Sequence, residues 1–380
     1  MGRPSKGTKI IRLSKRLSMS SLFTTTMLAS LGLALSMICC AASIPEQIHS
    51  LMQQKASSAQ FNGTVLIAMQ GQIVYQRAFG LADFEWSVPN DLRTKFEIGS
   101  MTKQFTAMLV LQLVNERRLR LDGHISDYLP YYRPDTGARV TLHELLSHTS
   151  GIPNFLTLPG FLDGPASRMH YSPESFVRKF CSGDLQFEPG SKFEYSNSGY
   201  FILGAILERV TGEPYETLLR EHIFEPLGME DSGYAHTQTL IPHRARGYER
   251  SGGSFSNARF YDMSIPFSAG ALYSTVEDLY KWDRALYTER LLPAAYRDLL
   301  FRPNLENYGY GWGLLIPEPG QPFAGELIPM HGGAIFGFQS VIQRMPRERD
   351  LILLLDNTDN PTLLKIAMEI RGIIGPIPKK

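Results

Sequence analysis

A serine and a lysine three residues apart open the most apolar helix that the sequence predicts. Ser100 and Lys103 lead into an uncharged run, 104–115, in which most positions are apolar. Side chains at i and i+3 share one helix face, about 5–6 Å apart at Cβ, and a helix apolar on nearly all sides is buried. Burial lowers the pKa of a lysine toward neutrality, so its amine can take a proton from a serine hydroxyl. The alternative is a serine N-cap beside a solvated lysine.

A phenol and an amide form a second candidate group. Tyr195 and Asn197 stand two residues apart in a loop, just ahead of a helix predicted over residues 200–210. Both side chains can point from that loop into a cleft, where the phenol would transfer protons and the amide would contact a substrate amide. The alternative is a core tyrosine beside a turn asparagine.

The third candidate group is a glycine pair in His331-Gly-Gly333-Ala334, which leads into a predicted strand from residue 337. Glycines at the start of an edge strand permit the close approach of another backbone or of a ligand. A main-chain N–H there would complete an oxyanion hole with the N–H of Ser100. The alternative is a tight turn with an incidental histidine.

The elements that must position these groups are predicted from local patterns. A helix begins at 44–45, and a hairpin is predicted from β-rich runs at 64–69 and 73–79. Near the other end, runs at 337–343 and 351–355 are strand-like, and a last helix is expected to stop at Gly372. Strands at both ends with short helices between them predict one antiparallel sheet built from both termini, with a helical insertion.

Composition excludes several classes of protein. The 380 residues are 43% hydrophobic and 20% charged, which is ordinary for a globular protein and unlike disordered, collagen-like or coiled-coil chains. Residues 1–42 hold six basic residues and no acidic residue, so the remainder carries a net charge of −5. That mildly acidic body offers no basic footprint for nucleic acid.

The first 42 residues have the pattern of a secretory signal peptide. A basic stretch ends at Arg16, an apolar centre spans 27–38, and small residues follow at Ala41 and Ala42. We therefore expect export to the periplasm or secretion. An uncleaved leader would anchor the protein in the inner membrane, and this is the one membrane association that the sequence predicts. The sequence leaves the oligomeric state open.

The three groups, in this order, resemble the Ser-x-x-Lys, Tyr-x-Asn and Lys/His-x-Gly motifs of the serine β-lactamase and penicillin-binding protein superfamily. The resemblance is closer to the branch of class C β-lactamases, D-alanyl-D-alanine carboxypeptidases, D-aminopeptidases and related esterases. It includes segments 141–151, 224–229 and 269–279, and covers about residues 45–370.

The resemblance implies an α/β (α+β) fold of the β-lactamase/transpeptidase type, in which helices flank an antiparallel sheet built from both chain termini and an all-helical segment is inserted. We expect residues 43–125 plus 265–380 to form an α/β subdomain, and residues 126–264 to form a mainly helical one. No cofactor and no metal ion is implied.

The resemblance also implies the catalytic roles. Ser100 would be the acylated nucleophile, Lys103 its base partner, and Tyr195 the group that shuttles protons to the leaving group and to the deacylating water. Whether Lys103 or Tyr195 takes the serine proton stays open, because two coupled groups share macroscopic pKa values.

Substrate binding is assigned by the same resemblance to Asn197, His331 and Gly333, and the oxyanion hole to the N–H groups of Ser100 and Ala334. Class C β-lactamases have a lysine where this chain has His331. A histidine is mostly neutral near pH 7, so the constant positive charge for a substrate carboxylate is lost. This departure argues against strong β-lactamase activity.

The sequence thus predicts a serine hydrolase that works through an acyl-enzyme on Ser100, with D-stereospecific peptidase or carboxypeptidase-like activity as the first expectation. The alternatives are a carboxylesterase or weak β-lactamase, and a penicillin-binding sensor without turnover. The expected partner is a small-molecule or peptide substrate with an amide, ester or β-lactam bond. His143 and His148 lie five residues apart, so on one helix they cannot share a metal ion. We expect His148 to be a structural hydrogen-bonding residue beneath the site, and 308–312 to line the cleft.

Overall fold

The structure is a computed structural model that describes residues 42–251 and 253–375. Residues 1–41 of the predicted signal peptide lie outside the described part. From Ile44 onward the chain forms one compact unit, and its division into two subdomains stays a prediction. No helix in the described ranges is both long and apolar enough to cross a bilayer.

The strands and helices of the described residues follow in chain order. The strands are β1 (Gly63–Met69), β2 (Gln72–Phe79), β3 (Leu81–Asp83), β4 (Val88–Pro89), β5 (Phe96–Glu97), β6 (Gly233–Tyr234), β7 (Tyr248–Ser251), β8 (Ser254–Asn257), β9 (Leu272–Ser274), β10 (Gly313–Leu315), β11 (Ile328–Ile335), β12 (Phe338–Met345) and β13 (Asp350–Asp356). The α-helices are α1 (Ile44–Ser57), α2 (Thr102–Asn115), α3 (Ile125–Tyr128), α4 (Pro134–Gly137), α5 (Leu142–Leu146), α6 (Pro173–Phe180), α7 (Asn197–Thr211), α8 (Tyr215–Leu219), α9 (Glu225–Leu227), α10 (Phe267–Gly270), α11 (Val276–Ala285), α12 (Ala294–Arg297) and α13 (Leu363–Ile374).

The central sheet combines strands from both ends of the chain, as predicted. Its order is β10-β11-β12-β13-β1-β2, and every neighbouring pair is antiparallel. The hairpin β1–β2 and the hairpin β12–β13 meet where Val65 of β1 lies opposite Leu354 of β13. The prediction of a mixed fold around one antiparallel sheet is therefore confirmed.

Alternating side chains of β1 supply both faces of the sheet. Val65 and Ile67 are buried in the cluster that contains residues of α1 and α13. Leu66 and Ala68 point the other way, into the larger cluster that contains α2, α7 and α11. Successive side chains of a strand point to opposite faces, so a strand that is apolar throughout is expected in a sheet covered by helices on both sides.

Helix α2 lies in the middle of the larger cluster, which explains its uniformly apolar sequence. Eleven of its fourteen residues are buried, and these include Lys103 and Gln104. Trp282 of α11 stacks on Phe105 and donates a hydrogen bond from Nε1 to the Gln104 side chain at 3.0 Å. A fully buried helix can carry a lysine only where other groups satisfy its amine, so Lys103 marks a specialised site.

Four sequence expectations need correction. Helix α7 begins at Asn197 instead of 200, and α13 continues through Gly372 to Ile374, because a single glycine costs an exposed helix only about 1 kcal/mol. The third motif lies inside β11 and pairs with β12, instead of preceding a strand. The segment inserted between the two halves of the sheet is also not entirely helical, since it contains β6 and the hairpin β7–β8.

Candidate active site

Ser100 lies in a short 3-10 turn, Gly99–Met101, that leads directly into α2. The turn needs glycine at position 99 for two reasons. Gly99 has φ of +50°, and a Cβ added there would lie 2.8 Å from the backbone N of Ala334. The turn therefore packs directly against β11. This close contact brings the main chain of Ala334 beside the residue that precedes Ser100.

Lys103 is fully buried, and its Nζ has three oxygen neighbours. Nζ lies 3.1 Å from Ser100 Oγ, 2.8 Å from Asn197 Oδ1 and 2.8 Å from the Ala269 carbonyl oxygen. No carboxylate forms an ion pair with Lys103 among the described residues. Burial lowers the pKa of Lys103 well below its usual value. Burial therefore favours the neutral form of this amine, compared with a solvated lysine.

The neighbours of Nζ suit a neutral amine that acts as a base. Such an amine has two N–H bonds and one lone pair. The oxygens of Asn197 and Ala269 are acceptors only, so they take the two N–H bonds. The lone pair is then left for the third neighbour, the Ser100 hydroxyl. In this arrangement Lys103 can accept the Ser100 proton.

Tyr195 places a second titratable group against the same amine. The centroid of its ring lies 4.9 Å from Lys103 Nζ, and its buried hydroxyl forms no hydrogen bond within the described residues. Burial raises the pKa of Tyr195, and the nearby Ser100 hydroxyl opposes this shift. The phenol is therefore protonated near pH 7 and can donate a proton, whereas Lys103 can accept one.

His148 holds the segment that carries Tyr195 and Asn197. Its carbonyl oxygen accepts a hydrogen bond from the N–H of Glu194 at 2.8 Å, and its Nδ1 accepts one from the N–H of Ser196 at 3.1 Å. Its ring centroid lies 4.2 Å from that of Tyr195. The residue is buried with φ of +57°, which is rare outside glycine. The predicted structural role beneath the site is confirmed by these contacts.

Asn197 occupies the first turn of α7, where Asn154 fixes its orientation. The Asn154 Oδ1 accepts hydrogen bonds from the backbone N–H and from the side-chain Nδ2 of Asn197, both at 3.3 Å. This leaves the Asn197 Oδ1 directed at Lys103. The Asn197 side chain thus accepts a hydrogen bond from the Lys103 amine, a contact that the sequence did not predict.

His331 is held by neighbours and does not line the cavity at Ser100. Its Nδ1 lies 2.6 Å from the Gly332 carbonyl oxygen, so Nδ1 is the donor and Nε2 accepts from the Tyr308 hydroxyl at 2.9 Å. The pKa of His331 is lowered to about 4, mainly by burial and less by the nearby Lys103, while its contact with the Gly332 carbonyl opposes the shift. A neutral His331 offers no positive charge to a substrate carboxylate.

Gly333 also lies outside the cavity wall, for a steric reason. A Cβ at this position would clash with the Ile98 carbonyl oxygen and with the Ser340 hydroxyl. The Ser340 hydroxyl donates a hydrogen bond to that same Ile98 carbonyl at 2.8 Å. The glycine therefore permits β11 to approach the turn that carries Ser100. Neither His331 nor Gly333 lines the cavity at Ser100, and their contact with a substrate, which the resemblance implied, stays a prediction.

A cavity of about 420 Å³ opens at Ser100. Asn197 and Ala334 form part of its wall together with Ser100. Lys103 contacts Ser100 and the Tyr195 ring lies against Lys103, so five of the seven predicted site residues are brought together. The rest of the wall is largely apolar and also contains charged side chains. It includes Phe155, Leu156, Leu162, Glu249, Arg259, Tyr261, Ile335, Phe336 and Asp359.

Several residues at the site had weak sequence signals. Tyr308 was expected to line the cleft and instead hydrogen-bonds His331, while Trp312, from the same segment, is fully buried. Ala269 contributes only its carbonyl, which no side-chain pattern can reveal. Within the described residues, no group of three or more histidine, cysteine, aspartate or glutamate side chains is arranged to hold a metal ion.

A serine and a buried amine at the start of a central helix, with a phenol from a second element, form the type of site that serine hydrolases use. The family model described as Beta-lactamase matches residues 48–366, and the chain belongs to this family. The superfamily of β-lactamases and penicillin-binding proteins consists of serine hydrolases, and the assignment of the superfamily from three short motifs is confirmed.

Individual relatives agree with this assignment. The chain is similar to the putative penicillin-binding protein PbpX of Bacillus subtilis strain 168, with 30% identity over 300 residues, 79% of this chain and 71% of that protein. A solved penicillin-binding protein from Bacillus halodurans has 27% identity and a TM-score of 0.75, over 85% of this chain and 98% of that one.

A third similar structure is a D-amino acid amidase from Ochrobactrum anthropi SV3 in complex with L-phenylalanine. It has 26% identity and a TM-score of 0.72, over 86% of this chain and 97% of the amidase. The chain spans 64% to 75% of the length of the curated relatives that it matches.

Proposed function

We propose that the protein hydrolyses amides or esters through an acyl-enzyme on Ser100. The observation that carries this proposal is the contact of a buried amine, Lys103 Nζ, with Ser100 Oγ at 3.1 Å, while two carbonyl-type oxygens take both of its N–H bonds. This arrangement favours Lys103 over Tyr195 as the group that takes the serine proton, because burial keeps the phenol protonated.

In the proposed acylation step, Lys103 takes the Ser100 proton as Oγ bonds to the substrate carbonyl carbon. The N–H groups of Ser100 and Ala334 would stabilise the oxyanion, the usual device for a tetrahedral intermediate. Tyr195 then donates its proton to the leaving nitrogen or oxygen as the bond to the carbonyl carbon breaks, and Lys103 returns a proton to Tyr195. Water repeats the sequence and releases the acid.

The substrate class that we propose first is a D-amino acid amide or a short D-peptide. A neutral His331 removes the requirement for a carboxylate on the leaving group. Of the two carboxylates on the cavity wall, Glu249 is paired with Arg259, so Asp359 is the one offered to an amino group. The similarity to a D-amino acid amidase is consistent with this choice.

A carboxylesterase is the second candidate, because apolar side chains such as Phe155, Leu156 and Leu162 form much of the cavity wall and would suit an apolar acyl group. Weak β-lactamase activity and acylation by penicillin without turnover remain the further alternatives, and both use the same acyl-enzyme.

A substrate panel tests these alternatives on the purified protein. The panel holds D-phenylalanine amide, its L-isomer, D-alanyl-D-alanine peptides, p-nitrophenyl acetate and a chromogenic cephalosporin, with Ser100→Ala as the blank. We expect hydrolysis of the amide with release of ammonia, faster for the D-isomer than for the L-isomer. Turnover of the ester alone would support the esterase, and an adduct with penicillin that persists for hours would support the sensor. Equal turnover by Ser100→Ala would contradict the acyl-enzyme itself.

A further inference from the structure

A second cavity adjoins the one that contains Ser100. It has a volume of about 580 Å³, and four residues belong to the walls of both cavities: Arg259, Tyr261, Ile335 and Phe336. Glu97 also lines the second cavity, and it precedes Ser100 by only three residues. Three residues of chain span at most about 11 Å, so the second cavity lies within one acyl-chain length of the nucleophile.

The ridge between the cavities is a stack of three of the shared side chains. The rings of Tyr261 and Phe336 meet edge to face at 5.2 Å, and the Arg259 guanidinium lies 4.8 Å from the centroid of the Phe336 ring. Arg259 is held by Glu249 at 3.3 Å and by Asp163 at 3.4 Å, and its side chain is 47% exposed. Ion pairs this exposed contribute little to stability. The Arg259 side chain can therefore move aside when a substrate group binds across the ridge.

Two large apolar side chains at the mouth of the second cavity are exposed to solvent instead of being packed in the hydrophobic core. Leu240 is 94% exposed and Phe260 is 55% exposed, and both line this cavity. Single exposed leucines are ordinary. Here, however, two large apolar side chains flank a cavity whose wall includes Phe338 and Ile335, and Ile335 also lines the cavity at Ser100. Because the two cavities share a wall, a substrate bound at Ser100 is the group placed to cover these side chains.

We propose that the second cavity is a subsite for a long apolar acyl group, whose carbonyl is attacked by Ser100 and whose chain crosses the ridge at Arg259 to reach Leu240 and Phe260. The inference rests on the second candidate of the proposed function, the carboxylesterase, because the chain is the acyl part of an ester that Ser100 attacks. Each methylene that leaves water raises kcat/KM by about four-fold. The subsite therefore predicts a preference for medium and long acyl groups over acetyl.

The charged residues of the second cavity make an acidic acyl group the competing occupant. Arg244 and Arg246 line it together with Glu97. Arg246 is already paired with Glu85, so its charge is compensated. The apolar mouth favours an uncharged chain, and the experiment includes an acyl group with a terminal carboxylate to decide between them.

The experiment measures kcat/KM for p-nitrophenyl acetate, butyrate, octanoate and decanoate, and for the half-ester of octanedioic acid. Three variants are compared with the wild type: Leu240→Ser, Arg259→Ser and, as the matched control, Leu364→Ser. Leu364 is another leucine at the surface, 43% exposed, on α13. Leu240 is nearly fully exposed, so its replacement leaves folding intact, and acetate turnover reports this directly.

We expect kcat/KM of the wild type to rise at least ten-fold from acetate to octanoate. Leu240→Ser should lower kcat/KM about five-fold for octanoate and decanoate and leave kcat/KM for acetate unchanged. Arg259→Ser should raise the ratio of kcat/KM for decanoate to that for acetate at least three-fold. Leu364→Ser should match the wild type on every ester. A flat chain-length profile in all proteins, or a faster reaction of the octanedioate half-ester than of octanoate, would overturn the subsite. Absence of turnover of every ester, acetate included, would instead count against the proposed function.

Discussion

The buried amine of Lys103 gives a prediction about stability that is independent of any substrate. In the folded protein the pKa of Lys103 is well below its ordinary value of 10.5, because burial disfavours the charged form. In the unfolded chain the same lysine is solvated and titrates near its ordinary value. Between these two pKa values the unfolded state binds one more proton than the folded state. Stability therefore rises with pH across this window.

The size of the effect follows from linkage. One additional proton on the unfolded state corresponds to a slope of about 1.4 kcal/mol in the free energy of unfolding per pH unit. Below the lowered pKa both states bind the proton, and above 10.5 neither does, so the slope is confined to the window. Lys103→Met keeps the volume of the side chain and removes the titrating group. The variant should lack this contribution.

The assay is urea unfolding of the wild type and of Lys103→Met at half-unit steps from pH 7 to 10. Met leaves the oxygens of Asn197 and Ala269 without their donor, but this cost does not vary with pH. The test is therefore how the difference in the free energy of unfolding between the wild type and Lys103→Met changes with pH. Lys365→Met, which removes an exposed lysine of α13, is the matched control and should run parallel to the wild type.

We expect the free energy of unfolding of the wild type to rise, relative to that of Lys103→Met, by about 1.4 kcal/mol per pH unit within the window. Acylation by p-nitrophenyl acetate should be at least about 10²-fold slower in the variant, the scale of a lost general base. Parallel stability profiles from pH 7 to 10 would mean that Lys103 keeps its ordinary pKa in the folded protein, and the argument for a neutral base would be refuted.

Three further predictions concern residues around this pair. Tyr195→Phe should slow turnover about 10²-fold yet leave the urea midpoint unchanged, since its hydroxyl has no hydrogen-bond partner to lose in the described structure; a large loss of stability would contradict this. Gly333→Ala should lower the free energy of unfolding by about 1–3 kcal/mol, because the added methyl group clashes with the Ile98 carbonyl. An unchanged unfolding curve would show that β11 is not in close contact with the turn that carries Ser100. His148→Leu should lower kcat, because it leaves the Ser196 N–H without its acceptor. His148→Asn keeps an acceptor and tolerates positive φ, so it should recover part of the lost kcat. Equal kcat values for the two variants would argue against a positioning role of His148.

Local patterns were sufficient for much of the fold. Helix α2 and the hairpin β1–β2 depend on residues that are neighbours in the chain, so their periodicity and turn residues predict them. The boundaries were less accurate. Helix α7 starts three residues early because Asn197 is tied to Asn154, a contact that no local pattern shows.

The site could be predicted in part. The spacing of Ser100 and Lys103 is local, and the motif order identified the superfamily that brings Tyr195 beside them. The direction of the Lys103 pKa shift could be predicted from burial, but the groups that contact its amine could not be predicted, because they come from distant parts of the chain. The carbonyl of Ala269 accepts a hydrogen bond from Lys103 across 166 residues, and the Tyr308 hydroxyl donates one to His331 Nε2 across 23. Neither contact leaves a trace in composition or spacing.

The most direct test of the central claim is the location of a covalent label. The purified protein is treated with a fluorophosphonate, and intact mass followed by peptide mapping identifies the labelled residue. We predict one adduct per chain, on Ser100, formed more slowly in Lys103→Met and absent in Ser100→Ala. Labelling of another residue, or full labelling of Ser100→Ala, would contradict the claim that Lys103 activates Ser100 as the nucleophile.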